Sequence, residues 1–159
     1  MAKIRIIDSS DWELLRDVRL EALADAPYAF TSSFEKENAF AQKEWRERLT
    51  TSTWFLAFEN RKPVGMVACA QGKYTMPDEY LIYSMWTHKD FRRTGVGAQL
   101  IDAVKQWTKA QGAVQLKLWV TLENNSAQRF YKKAGFTVTN EQATIPNTTH
   151  VCQERVCPL

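Results

Sequence analysis

The chain has 159 residues, 45% of them hydrophobic and 25% charged, and a formal net charge of +3. This is the composition of one globular domain, residues 1–159, not of a disordered or fibrous chain. The charge is too small to argue for nucleic acid. No apolar run reaches the about 20 residues of a membrane span and no signal-peptide core opens the chain, so a cytoplasmic protein without a membrane partner is expected.

Residues 4–7 read as an opening strand, and Ser10, Asp11, Trp12 and Glu13 have capping-box spacing ahead of a helix that buries Trp12, Leu15, Val18 and Ala22 and ends before Pro27. A loop through Tyr28, Ala29 and Phe30 leads to a charged helical stretch over 35–49, with Phe40, Trp45 and Leu49 facing inward. Residues 53–59 and 64–70 form a hairpin about a turn at 60–63, and 71–78 is a loop. A central strand follows over 79–87, then a glycine turn and a helix carrying Val96, Leu100, Ala103, Val104 and Trp107, which Gly112 stops. Residues 115–120 complete a strand, helix, strand unit of the kind that gives parallel pairing. A short helix over 124–134 and strands over 136–141 and 151–156 close the chain.

Cys69, Cys152 and Cys157 are odd in number and lack metal-ligand spacing, which points to reduced thiols, with Cys69 in the core, and to no bound metal. Charge is unevenly spread: the first 50 residues hold 8 of the 21 basic and 10 of the 18 acidic groups. The later part is therefore suited to a small anionic ligand.

The glycine turn, Arg92-Arg93-Thr94-Gly95-Val96-Gly97, is the strongest chemical signal. A Walker phosphate loop is excluded because Ala98 and Gln99 stand where lysine and a hydroxyl are needed. A dinucleotide fingerprint is excluded because Leu100 replaces its third glycine and the turn lies past mid-chain. A pyrophosphate held by the N–H groups of a turn and helix start remains, as does a plain tight turn.

The pattern Arg-x-x-Gly-x-Gly between a strand and an amphipathic helix resembles the acyl-CoA-binding motif of the GNAT superfamily of N-acetyltransferases. Downstream, the run from Asn124 through Ala127, Phe130 and Tyr131 to Gly135-Phe136 is similar to the second signature of that family, one helix and one strand further on. The stretch 19–30, RLEALADAPYAF, is more weakly similar to its first helix and acceptor-side loop. The resemblance implies a mixed α/β fold with a central twisted sheet of about six to seven strands and helices on both faces.

It also implies acetyl-CoA as cosubstrate and no metal. The pantetheine arm would pair with main-chain groups at the end of the strand, Ser84 to Thr87 through Trp86, chiefly those of Met85 and Thr87, and the Met85 N–H would polarise the thioester oxygen. The pyrophosphate would lie on the N–H groups of Arg92, Arg93, Thr94, Gly95, Val96 and Gly97. Asn124 and Ala127 match the second motif, Asn124 as a cofactor contact or a helix N-cap. Tyr131 falls on the family's tyrosine, a protonated phenol that serves as general acid or packs as core.

Several family members carry a glutamate base where this chain has Leu81. Glu79, two residues earlier on the same strand face, is the candidate for a water relay, against a solvated charge at a strand start. His88 reads as a surface residue, and Tyr28, Phe30, Phe34 and Tyr74 as an acceptor-pocket lining or as core.

The expected activity is direct transfer of acetyl to a primary amine in a ternary complex, with a small-molecule acceptor. A protein N-terminus or lysine acceptor and a noncatalytic acyl-CoA-binding module stay open. The resemblance also allows a homodimer.

Overall fold

A computed structural model describes residues 1–159. Seven strands, β1 (Lys3–Ile7), β2 (Thr53–Glu59), β3 (Lys62–Ala70), β4 (Glu79–Thr87), β5 (Gln115–Thr121), β6 (Thr137–Thr144) and β7 (Val151–Pro158), form one mixed sheet in the order β1-β2-β3-β4-β5-β7-β6. The helices are α1 (Trp12–Asp25), α2 (Phe34–Asn38), α3 (Gln42–Thr51), α4 (Val96–Ala110) and α5 (Asn125–Lys133). This is the mixed α/β class that the sequence leads one to expect. Backbone contacts divide the chain into two compact units, Met1–Ala70 with Ser84–Val104, and Gln71–Tyr83 with Lys105–Leu159.

In the first unit β2 pairs antiparallel with β1, from Lys3 opposite Phe58 to Ile7 opposite Trp54, and with β3 across Asn60 and Arg61. Both turn residues are left-handed, with φ of 47° and 67°, the geometry that matches the twist of a two-residue hairpin. This turn lets β3 begin at Lys62, earlier than the apolar run alone indicates. Trp54, Phe55, Leu56 and Ala57 of β2 are all buried, so both faces of this strand are covered. Each of the larger three contributes about 1.5–3 kcal/mol by leaving water.

From α1 come Leu15, Val18, Ala22 and Leu23, from α3 Trp45, and from α4 Val96, Leu100, Ile101 and Val104. The first part of α4 comes so near β3 that a β-carbon on Gly65 would lie 3.0 Å from Leu100 Cδ1 and 3.1 Å from the Trp86 carbonyl oxygen. Any larger residue there would make those neighbours give way by a few tenths of an ångström.

Two sequence expectations are corrected here. The capping box precedes the expected one: the Asp8 carboxylate accepts from the Ser10 N–H, and the Asp11 carboxylate accepts from the Asp8 N–H at 3.1 Å. The charged stretch 35–49 is two helices, the first ending at Asn38 with Glu37 turned inward to a buried ion pair and the second starting at Gln42.

In the second unit the start of β4 pairs parallel with β5, Glu79 to Leu81 against Gln115 to Lys117. β5 pairs antiparallel with β7 along its whole length, and β7 with β6. Leu116, Leu118 and Val120 alternate into the core with Phe136 and Cys157. β6 starts one residue after Phe136, which is buried in the turn that follows α5, and runs on to Thr144 because β7 offers it a partner.

Candidate functional site

Within the first unit, the turn before α4 has two left-handed residues, Arg93 at φ 63° and Gly95 at φ 94°. A β-carbon on Gly95 would meet nothing within 4 Å, so the demand for glycine there is conformational and not steric. The first helical hydrogen bond of α4 runs from the Gln99 N–H to the Gly95 carbonyl at 3.0 Å. The N–H groups of Val96, Gly97 and Ala98 therefore stand ahead of the helical ladder, at the positive end of a 15-residue helix. Thr94 Oγ1 donates to the Phe91 carbonyl and holds the turn from within.

The two arginines behave differently. Arg92 donates from Nε to the Thr87 carbonyl at 3.0 Å and from Nη2 to Asp25 Oδ2 at 2.6 Å, which fastens the turn to the end of β4 and to α1. Asp25 also accepts from Trp86 Nε1 at 3.0 Å, and the Trp86 side chain is buried inside this unit. Trp86 is thus structural in its side chain. Arg93 is exposed, as are Arg92 and Thr94, and Met85 and Thr87 are half-buried.

Ser84, the residue before Met85, is left-handed at φ 56° inside β4. Its hydroxyl accepts from Arg19 Nη1 at 3.0 Å. Arg19 donates from Nε and Nη2 to the two Glu37 oxygens at 2.9 and 3.0 Å, and Arg48 Nη1 adds a third bond at 2.7 Å. Burial of Glu37 pushes its pKa upward, but hydrogen bonds from Arg19, Arg48 and Ser32 outweigh this and hold it at about 2. The sequence reading missed this cluster. Its one signal was an arginine on the apolar face of α1, four residues after Leu15 and three before Ala22.

In the second unit Glu79 is buried, not solvated. It pairs with Lys117 at 2.9 Å and accepts from Gln115 Nε2 at 2.6 Å and from the Met76 N–H at 3.4 Å. Burial raises its pKa, yet these three donors lower it below the ordinary value on balance. A carboxylate so engaged is a weak base. Lys117 also reaches Glu154 at 3.4 Å; burial opposes its charge, and the two carboxylates overcome this and raise its pKa.

Asn124 Oδ1 accepts from the Ala127 N–H at 3.1 Å and so caps α5. Tyr131 is only 8% exposed and lies edge-on to Phe130 and Phe136, with ring centres 5.1 and 5.8 Å away. Burial pushes its phenol pKa above the ordinary value, so the group is protonated throughout the neutral range.

His88 is corrected from a surface residue. Its side chain is 12% exposed, Nδ1 accepts from the Asp90 N–H at 3.1 Å, Nε2 lies 3.4 Å from Glu21, and the ring packs against Trp86 and Phe91. Of the expected acceptor-side aromatics, Tyr28 and Tyr74 are largely exposed, while Phe30 lies beneath the Arg19 guanidinium at 4.7 Å. Cys69 is core, and burial pushes its thiol up to about 12, which leaves no nucleophilic thiolate. No group of three or more His, Cys, Asp or Glu is placed to hold a metal ion, and no helix is long and apolar enough to cross a membrane.

Comparison with known proteins adds three kinds of likeness. Residues 15–136 match the Acetyltransferase (GNAT) family. An uncharacterised N-acetyltransferase of Methanocaldococcus jannaschii is 30% identical over 122 residues, which cover 74% of this chain and 54% of that protein. The chain thus spans about half the length of this curated relative. The GNAT-family acetyltransferase of Streptococcus pneumoniae superposes with a TM-score of 0.81 at 19% identity, covering 100% of both chains. The PaiA N-acetyltransferase of Thermoplasma acidophilum, solved with coenzyme A, does so with 0.73 at 17% identity over 97% of this chain and 98% of that one. The ribosomal-protein-S18-alanine N-acetyltransferase of Escherichia coli gives 0.71 at 18% identity, over 99% and 94%.

Proposed function

The chain belongs to the GNAT acetyltransferase family, and on that premise we propose that it is one N-acetyltransferase domain that moves acetyl from acetyl-CoA to a primary amine on a small molecule by direct attack in a ternary complex. The observation that carries this is the left-handed pair Arg93 and Gly95 ahead of the free N–H groups of Val96, Gly97 and Ala98. Peptide N–H groups at a helix start, with an exposed arginine beside them, fit a pyrophosphate.

Acetyl-CoA, when bound, supplies an activated acyl carbon and a thiolate leaving group. In the first unit the Met85 N–H polarises the thioester oxygen, and main-chain groups of Met85 and Thr87 align the pantetheine arm. Arg92 acts indirectly, by holding the turn to Asp25 and Thr87. Charge for the diphosphate comes from Arg93 and the helix dipole.

In the second unit Tyr131 is the proton donor. Its raised pKa places it above a free thiol, whose pKa is about 8.5, so a lasting loss of the phenol proton to the departing sulfur is uphill. Tyr131 therefore donates a hydrogen bond to the sulfur and passes on the proton that the acylated nitrogen sheds. We give Glu79 no proton-transfer role, because Lys117, Gln115 and Met76 occupy it. An alkyl amine then loses its first proton to solvent before attack. The three free thiols, Cys69, Cys152 and Cys157, support a reducing, cytoplasmic setting.

Free-thiol release from acetyl-CoA, measured with a panel of polyamines, amino sugars, and peptides bearing free N-termini or lysines, tests this reading. Release with a small amine supports it. Release with peptides alone moves the acceptor to protein, coenzyme A binding without turnover indicates a noncatalytic module, and neither binding nor release overturns the assignment.

A further inference from the structure

Resting on the acetyl-CoA reading above, we propose that Arg19 is a positioning residue that acts through Ser84 to aim the Met85 N–H at the thioester oxygen. The other left-handed non-glycine residues, Asn60, Arg61, Arg93 and Asn147, lie in turns, whereas Ser84 is inside a strand. A side-chain-bearing residue is strained in that conformation and holds it only when its surroundings impose it. Here the imposing contact is the hydroxyl's bond from Arg19 Nη1 at 3.0 Å.

Arg19 has no freedom to deliver that bond elsewhere. Its Nε and Nη2 are locked on Glu37, its guanidinium lies 4.7 Å from the Phe30 ring centre, and its side chain is 8% exposed against 0% for Glu37. Arg48 holds the same carboxylate from α3. Three helices thus converge, through one guanidinium, on the strand residue whose ψ orients the next peptide plane. A buried ion pair is seldom the cheapest way to stabilise a core, as well-packed apolar residues do as well. Its value here is geometric: a fork of five fixed donors sets direction as well as charge. The same guanidinium fixes the loop at Phe30, so the acceptor-side loop and the end of β4 are held by one side chain.

The test is calorimetric titration of the full chain with acetyl-CoA and, separately, with coenzyme A. The wild type should bind acetyl-CoA about fivefold more tightly, the worth of one hydrogen bond to the thioester oxygen. Ser84→Val, which leaves Arg19 and Glu37 paired but disfavours a left-handed backbone, should remove that preference, acetyl-CoA affinity falling about fivefold further than coenzyme A affinity. Arg19→Gln should do the same. Adding Ser84→Gly to Arg19→Gln should restore the preference, because glycine adopts a positive φ without a clamp.

A preference that persists in Ser84→Val, equal loss of both ligands in that variant, or a wild type with no preference overturns the inference and leaves the acetyl-CoA reading standing. A wild type that binds neither ligand overturns both. Should Arg19→Gln fail to fold, Ser84→Val alone decides, since it leaves the buried pair intact.

Discussion

In the first unit two arginines, Arg19 and Arg48, converge on one carboxylate, Glu37, whereas in the second two carboxylates, Glu79 and Glu154, converge on one lysine, Lys117. The central group is drier in the first, where the Glu37 side chain is fully buried, than in the second, where the Lys117 side chain is 16% exposed, although Arg48 at 27% is the most exposed member of either cluster. They also serve β4 differently. Glu79 anchors its first residue, while Arg19 grips Ser84 just before the main-chain groups assigned to the acyl donor. Burying a charge network at a strand's start secures register; burying one beside a strained residue secures a direction.

The largest effect expected is on stability. Arg19→Met leaves Glu37 buried with half of its donors and should cost about 3–5 kcal/mol by urea denaturation. Lys117→Met should cost about 1–2 kcal/mol, because Gln115, Met76 and Thr139 still donate to the two carboxylates. Equal losses would erase the distinction between the clusters.

Acid should sharpen it. The Glu37 pKa falls from an ordinary 4.5 to about 2 on folding, so its contribution is complete above pH 4.5 and is lost as pH drops toward 2. That contribution is on the order of 3 kcal/mol. Glu79 works in the same direction. Lys117, raised above its ordinary 10.5, instead contributes fully below that value and loses its contribution only as pH climbs past it. Urea midpoints against pH should therefore show an alkaline decline that Lys117→Met reduces, and an acid decline that persists in that variant.

The proposed roles divide by chemistry: main-chain groups for the acyl donor, a side chain for the proton. Tyr131→Phe should lower turnover about a hundredfold with little change in coenzyme A affinity. Gly97→Glu, which places a carboxylate at the anion-binding helix start, should abolish coenzyme A binding in calorimetry. Equal loss of binding in Tyr131→Phe would reduce the tyrosine to packing between Phe130 and Phe136. The smallest effect concerns Gly95→Ala: a φ of 94° disfavours any side chain, and about 1 kcal/mol of stability should be lost on thermal melting.

Much of the local structure was legible because its causes are local. Strands 53–59 and 79–87 were read with the bounds they have, since aromatic and β-branched runs between turn residues have few alternatives. The helix after the glycine turn followed from its apolar spacing. Elements with distant partners were read less well. The stretch 35–49 has helical character throughout, and neither its division at 39–41 nor the partner of Glu37, 18 residues away in the chain, is visible in a local window. β6 looked shorter than it is because the strand that extends it, β7, follows it in the chain.

Sequence alone determined the family, through two motifs read from residue type and spacing: Gly95, where φ is positive, Asn124, where a helix is capped, and Tyr131. Tertiary structure alone decided which of the charged residues are buried. Arg19 meets Ser84 across 65 residues, and Glu79 meets Lys117 across neighbouring strands, contacts that no local window contains. The physical reason is that dihedral preference and periodicity act over a few residues, whereas desolvation of a charge depends on everything the fold packs around it.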